Sequence, residues 1–420
     1  MRISLILGLL LAAACGDDDR RTLDGGPPEA GRDGRVPGDA AALDGTAPDA
    51  QPDAPPPDSG SAGCPRAAAA ADRTRYVVVS HPFAAGGGAG DLYEVLLLDT
   101  SGVLTQPGVT FAMGTAHDGA IAFSPDGEIG IVAQEDGSVG VFRFGAGGEP
   151  EVVEAAYGGS FYAGAVVMDP SGAHAWVLDQ QWRESGGGVY RLDIGCDGSV
   201  LGDTRVAEAR LPYAMIPRDD GTALLVAKDV ADSSAGADAH IVRLDGPTVV
   251  ASADVFADDD WIVSSAALTR NGRHFLFADN AAFASTGVRV GVVEVAGDAL
   301  VTKPTVMPIE DPIAIVASPF DDAAIVPSGF GDAIFVLDYA PEASAPFTLR
   351  GELAYAGARP ALPGAAVAIE RGSLDGLVLV AENVSVRRVR FEGGGTVTDL
   401  GAFGLGSGST AIVGAIGVTP

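Results

Sequence analysis

Few residues of this chain combine the types and spacing that chemistry needs. His117 and Asp118 set an imidazole beside a carboxylate, and Asp311 is a second acid far downstream. A histidine base with a carboxylate partner can move protons in a hydrolysis. Asp118, Asp311 and the run Asp258-Asp259-Asp260 can also gather round a hard cation, although Ca²⁺ asks for about six to eight oxygens. Tyr162, Tyr213, Trp261 and Trp182 offer flat faces for stacking on a sugar or planar ligand. No serine-centred elbow, phosphate loop or histidine-rich zinc motif is present. Glycine tracts such as "AGGGAG" lack the strand-then-helix setting that gives them meaning. The expectation is therefore no metal and no cofactor, with a structural Ca²⁺ left open. The ligand-binding candidates are Trp182, Tyr162, Tyr213 and Trp261; His117, Asp118 and Asp311 form the alternative, catalytic set.

These residues need elements to hold them, and the chain spells those elements repeatedly. Ala120–Phe144 reads "AIAFSPDGEIGIVAQEDGSVGVFRF": three short apolar runs, with a turn signal between each pair. The pattern returns at Ala165–Ile194, Tyr213–Asp245, Ser265–Val295, Ile313–Tyr339 and Ala365–Phe391. Repeats about fifty residues apart mean propeller blades or solenoid coils. Alternating apolar and polar residues between Gly, Asp and Asn turns mean antiparallel strands. Arg75–Asp99 supplies a second and third strand with no inner strand ahead of them. "STAIVGAIGVTP" supplies an inner strand that ends at Pro420, where Val418-Thr419-Pro420 aligns with Phe123-Ser124-Pro125. The expectation is an all-β, seven-bladed β-propeller whose N- and C-terminal strands close one shared blade, because closure removes exposed sheet edges. The channel mouth is then lined by residues just ahead of each inner strand: His117, Asp118, Tyr162, Tyr213, Trp261, Asp311 and Pro363.

The turns Ser124-Pro125-Asp126-Gly127, Asp169-Pro170-Ser171-Gly172 and Asp219-Asp220-Gly221, each after an apolar inner strand, resemble those of the lactonase-like, YVTN-type β-propeller superfamily. The resemblance covers Arg75–Pro420 in pattern and implies a fold. The Trp-Asp dipeptides of the related WD repeats are absent. A lactonase-like site is implied only as the alternative reading, with His117 and either Asp118 or Asp311 as acid, base or oxyanion partner.

The N-terminus carries an address. "MRISLILGLLLAAAC" has one basic residue and then an uncharged apolar run too short to cross a bilayer, since about 20 residues are needed. Its end, Ala12-Ala13-Ala14-Cys15-Gly16, resembles the lipobox of bacterial lipoproteins, with Ala12 where that family more often has Leu. The resemblance implies that residues 1–15 are a lipoprotein signal ending at a lipidated Cys15, on a cell-envelope protein of the outer membrane. An ordinary signal peptide cut nearby is the alternative. Residues 16–63 hold 11 acidic and 4 basic residues among Pro, Gly and Ala. They have no apolar periodicity to offset ordering entropy, so they read as a disordered tether, with the propeller at 64–420.

The whole chain has 56 acidic and 26 basic residues among 420, a net charge of −30. Such a surface repels phosphate backbones, which argues against nucleic acid as a partner. With Cys15 lipidated, Cys64 and Cys196 are an even pair in an oxidising compartment and are expected to bridge. The loops after second strands are long at His81–Gly90, Gln180–Gly188 and Val230–His240, where Trp182, His81 and Phe83 can form a contact surface. His174 and His274 fall within second strands and read as structural. The functional expectation is a lipid-anchored, non-enzymatic binding module for an envelope protein, glycan or small ligand, touching the membrane through its anchor alone. The alternative is the lactonase-like hydrolase.

Overall fold

A computed structural model describes residues 63–83, 89–117, 119–180, 187–245, 248–256, 261–280, 289–405 and 414–420. The signal, Cys15 and nearly all of the tether lie outside the described residues, as do Asp118, Trp182 and Asp258-Asp259-Asp260.

The described chain forms seven four-stranded antiparallel sheets. Blade 1 takes Ile416–Val418 as its inner strand, followed by Arg75–Phe83, Ala89–Leu98 and Leu104–Ala112. Blade 2 is Ala122–Phe123, Ile129–Ala133, Val139–Phe144 and Pro150–Tyr157, and blade 3 is Ala163–Met168, His174–Asp179, Gly188–Ile194 and Val200–Ala207. Blade 4 is Ala209–Pro217, Thr222–Val230, Ala239–Arg243 and Val249–Ala253. Blade 5 is Val263–Leu268, His274–Asp279, Arg289–Ala296 and Ala299–Val306. Blade 6 is Val316–Ala317, Ala323–Ser328, Ala333–Tyr339 and Phe347–Glu352, and blade 7 is Ala366–Ala368, Leu377–Ala381, Ser385–Gly393 and Thr396–Gly404. The protein is a seven-bladed β-propeller.

The core proves the ring. Seven apolar clusters each straddle two neighbouring blades, and one joins blade 7 to blade 1 through Leu379, Ala381, Val77, Val79 and Ile416. An open array of seven sheets would have one interface fewer. Second strands such as Ile129–Ala133 and Leu377–Ala381 are buried at every position. They are packed on both faces, which explains their continuous apolar runs. Outer strands such as Leu104–Ala112 alternate towards solvent.

Turn chemistry explains the repeat. In blade 2, Ser124 donates its amide to Ile129 O and accepts the Ile129 amide on its hydroxyl, at 2.9 and 3.0 Å. Thr419 makes the same pair of bonds with Tyr76, at 2.9 and 3.0 Å. The alignment of Thr419 with Ser124 is thus a structural equivalence. Gly127, at φ +76°, occupies the left-handed position that a side chain would strain.

We call the face bearing these first-to-second-strand turns the lower face, and the other the upper. Residues 63–74 cross the lower face as a strap. Cys64 and Cys196 form a disulfide at the turn after the third strand of blade 3, with Cα atoms 5.0 Å apart. The Arg66 amide then bonds Ser171 O in blade 3, and the Ala69 amide bonds Pro125 O in blade 2. Arg73 donates to Asp126 O at 3.0 Å and to Pro420 O at 3.1 Å. Asp72 accepts the Ser373 amide of blade 7 at 2.7 Å. The strap therefore ties the lower turns of four successive blades.

Candidate functional site

The upper face carries the connections between blades and the second-to-third-strand loops. Backbone strain collects there. Among the described residues, seven non-glycines adopt left-handed φ values; Leu211, Asp229, Asp232, Asp311, Asp332 and Leu362 are on the upper face, and only Asp321 is below. Strain of this kind persists where surrounding structure holds a backbone in place, and it gathers at functional sites.

His117 is fixed by its backbone. Its amide donates to Ala133 O at 3.0 Å, and Ala116 pairs with Gln134. Its Nε2 is buried and has no hydrogen-bond partner among the described residues. Burial holds the imidazole below the usual histidine range, with Asp136 pulling the other way, so the ring is neutral near pH 7. Tyr162 lies on the same support: its hydroxyl donates to Glu135 O at 2.5 Å, and its ring covers Gly137. A Cβ on Gly137 would come within 2.3 Å of that ring. The structure thus brings His117 and Tyr162 to one hairpin of blade 2, His117 at Ala133 and Tyr162 at the turn 135–137.

Tyr213 and Trp261 meet at the border of blades 4 and 5, edge to face, with centroids 5.6 Å apart. Lys228 Nζ stands 4.9 Å from the Trp261 ring centroid. Trp261 itself is 1 % exposed and packs on Phe256, so the expectation that its ring faces the channel mouth is corrected. Adjacent blades bury it. Tyr213 keeps partial exposure on an inner strand whose register shifts twice beside it, at Arg210 to Pro212 and Pro212 to Ala214. Bulges of this kind re-aim side chains.

Asp311, at φ +42°, is buried, and its Oδ2 accepts the Phe330 amide at 2.9 Å. Desolvation raises its pKa against the lowering effect of that bond. His117 and Asp311 therefore serve different blades, and no hydrogen bond or ion pair joins them. His81 is also corrected: it is buried in its strand with Nε2 at 3.2 Å from Glu94, not part of an exposed contact surface. His174 and His274 lie in second strands, as expected, and His274 Nδ1 is 2.8 Å from the Tyr339 hydroxyl.

Two titratable residues of the upper face escaped the sequence reading. Asp238 accepts the amides of Val255 and Phe256 at 2.8 and 2.7 Å, and desolvation pushes its pKa up to about 6. His240, two residues on, is fully buried between Ala227 O and the Ser252 hydroxyl, and burial pulls it down to about 4. The alternation of Asp238 and His240 at the start of a third strand was the one available signal. Arg387 is buried between Glu382 and Asp399, and Arg289 holds the buried Asp279 at 2.8 Å. Among the described residues, no group of three or more His, Cys, Asp or Glu side chains is placed to hold a metal ion.

No known family model matches the sequence, and no curated protein is similar to it. Solved structures are similar in fold. A protein from Lactobacillus plantarum superposes with a TM-score of 0.62 at 10% identity, over 83% of this chain and all of that one. A Bacteroides fragilis protein provisionally assigned as a 6-phosphogluconolactonase gives 0.60 at 11%, over 82% and 98%. The periplasmic gluconolactonase of Pseudomonas aeruginosa gives 0.58 at 13%, over 83% and 99%. The chain thus shares the seven-bladed β-propeller fold of these structures. Likeness at such identities is a statement about fold and no more.

Proposed function

We propose that this chain is a cell-envelope lipoprotein, anchored to the outer membrane through Cys15, whose propeller binds an envelope ligand on its upper face without turning it over. One observation carries this reading. Five buried carboxylates hold the fold: Asp311 and Asp238 take backbone amides, and Asp279, Glu382 and Asp399 take arginines. No acid–base pair is left poised among them. Tyr162 and Tyr213 remain as partly exposed aromatic groups for recognition. Tyr162→Ala and Tyr213→Ala should weaken capture of envelope glycan fragments; unchanged capture by the double variant refutes this face. Mass spectrometry of the membrane fraction should find an acylated Cys15, and Cys15→Ser should release soluble protein.

A second reading is favoured by His117. A neutral, half-buried imidazole whose Nε2 has no partner among the described residues is suited to take a proton from water attacking a lactone carbonyl, with Asp118 next to it in sequence. The periplasmic gluconolactonase of similar fold lends this reading its substrate class. Turnover of a lactone panel by the wild type and not by His117→Ala would establish it over the binding module.

A further inference from the structure

Four large apolar side chains stand exposed on the upper face of three consecutive blades: Ile262 at 44 %, Met307 at 56 %, Phe330 at 39 % and Val384 at 42 %. Hydrogen bonds connect the segments that carry them. The Ser264 hydroxyl of blade 5 donates to Pro312 O, on the connection that bears Met307, at 3.0 Å. On that connection Asp311 accepts the amide of Phe330 at 2.9 Å. Asp332, two residues on, accepts the Leu362 amide at 2.8 Å, and Ala361 O accepts the amide of Asn383, next to Val384, at 2.9 Å. The segments carrying the four residues are thus linked to one another along this rim. Asp311, Asp332 and Leu362 hold left-handed backbone along it, at φ +42°, +45° and +50°.

The rim has an acidic frame. Glu310, Asp332 and Glu352 are exposed there. Arg359 is exposed too, but its guanidinium bridges Glu352 at 3.0 Å and the Asp332 carbonyl at 3.3 Å.

From this we infer that the rim formed by blades 5 to 7 is a docking surface for a cationic, amphipathic segment of another envelope protein. The inference rests on the binding-module reading and names its partner. Apolar side chains of the segment lie on Ile262, Met307, Phe330 and Val384, and its Lys or Arg residues face Glu310 and Asp332. Exposed apolar residues framed by charge mark interaction sites, and charge complementarity selects the partner. Glycans are disfavoured, because a rim of aliphatic and phenyl groups offers little to their hydroxyls. A second copy of this acidic chain is disfavoured by like charge, and an anionic lipid surface by the same repulsion.

The test titrates the full-length chain with a synthetic helical peptide that has Leu on one face and Lys on the other. The expected result is saturable, salt-sensitive binding that weakens about tenfold in Met307→Ser/Phe330→Ser. A peptide with Glu in place of Lys should not bind. Ile262→Ser/Val384→Ser is the second variant, so that one unstable protein does not decide the matter. Equal binding by both variants, binding of the Glu peptide, or no binding by the wild type overturns the proposal. So does a dimer in sedimentation velocity that the variants dissolve, which assigns the rim to a second copy. So does weaker retention of the variants on phosphatidylethanolamine–phosphatidylglycerol vesicles, which assigns it to lipid. Tyr162 and Tyr213 are intact in these variants, so glycan capture that persists while peptide binding fails removes this inference alone.

Discussion

The amide of Ile121 donates to the carbonyl of Ile416 at 3.0 Å, and so joins blade 2 to the strand that closes blade 1. The Ile416 amide returns a bond to Gly119 O at 3.0 Å. On its other side the closing strand pairs with blade 1 through Val77–Val418 and Val79–Ile416. It is therefore held from two blades at once.

Gly417 lies between them without room for a side chain. A Cβ there would sit 2.5 Å from the Ile121 carbonyl oxygen, a backbone atom that cannot swing away. Gly417→Val should lower stability by about 1–3 kcal/mol. Deleting residues 414–420 should broaden the calorimetric transition and promote self-association through the exposed edge. A deletion variant that melts like the wild type would remove the closing role from this strand.

The disulfide fastens the far end of the strap across a sequence separation of 132 residues. Cys64→Ser/Cys196→Ser should cost about 2–4 kcal/mol. It should also speed tryptic cleavage at Arg66 and Arg73, which the wild type protects with lower-face bonds. Digestion at the wild-type rate would mean that those bonds hold the strap without the bridge.

Arg387 is buried between two acids, with Nη1 at 2.6 Å from Asp399 and Nε bonded to Glu382. Arg387→Met leaves both carboxylates uncompensated and should cost about 3–5 kcal/mol. Arg387→Met/Glu382→Gln/Asp399→Asn should recover much of that loss in urea unfolding, because no stranded charge remains.

Asp238 and His240 predict opposite responses to acid. Asp238, at about 6 in the folded state, binds its proton more tightly than an unfolded aspartate at about 3.9. Its contribution is full below that lower value and is lost as pH rises through about 6. His240, at about 4 against about 6.5 unfolded, contributes above 6.5 and loses it as pH falls through 4. Each amounts to roughly 3 kcal/mol, and in the wild type they largely offset. Relative to wild type, His240→Gln should gain stability from pH 6.5 to 4 and Asp238→Asn should lose it. Melting temperatures against pH read both slopes; parallel curves would refute the assignment.

Much of the scaffold was legible because propeller blades depend on local rules. Strand alternation, the Asp and Gly of each lower turn, and the match of Thr419 to Ser124 are all short-range, and Thr419 makes the bonds its alignment implies. Parity and compartment pointed to the bridge between Cys64 and Cys196. The upper face followed no such rules. His81 and Trp261 sit where the repeat put them, yet both are buried, because the packing of neighbouring strands and blades sets exposure there. Asp311 is at the mouth by position, but the amide of Phe330, from a separate turn, claims its carboxylate. By itself the sequence determined the strands, their turns and the circular order, since those depend on neighbours in the chain. Only the tertiary structure decided which upper-face groups are free to meet a ligand, since burial and hydrogen bonding there come from residues distant in the chain.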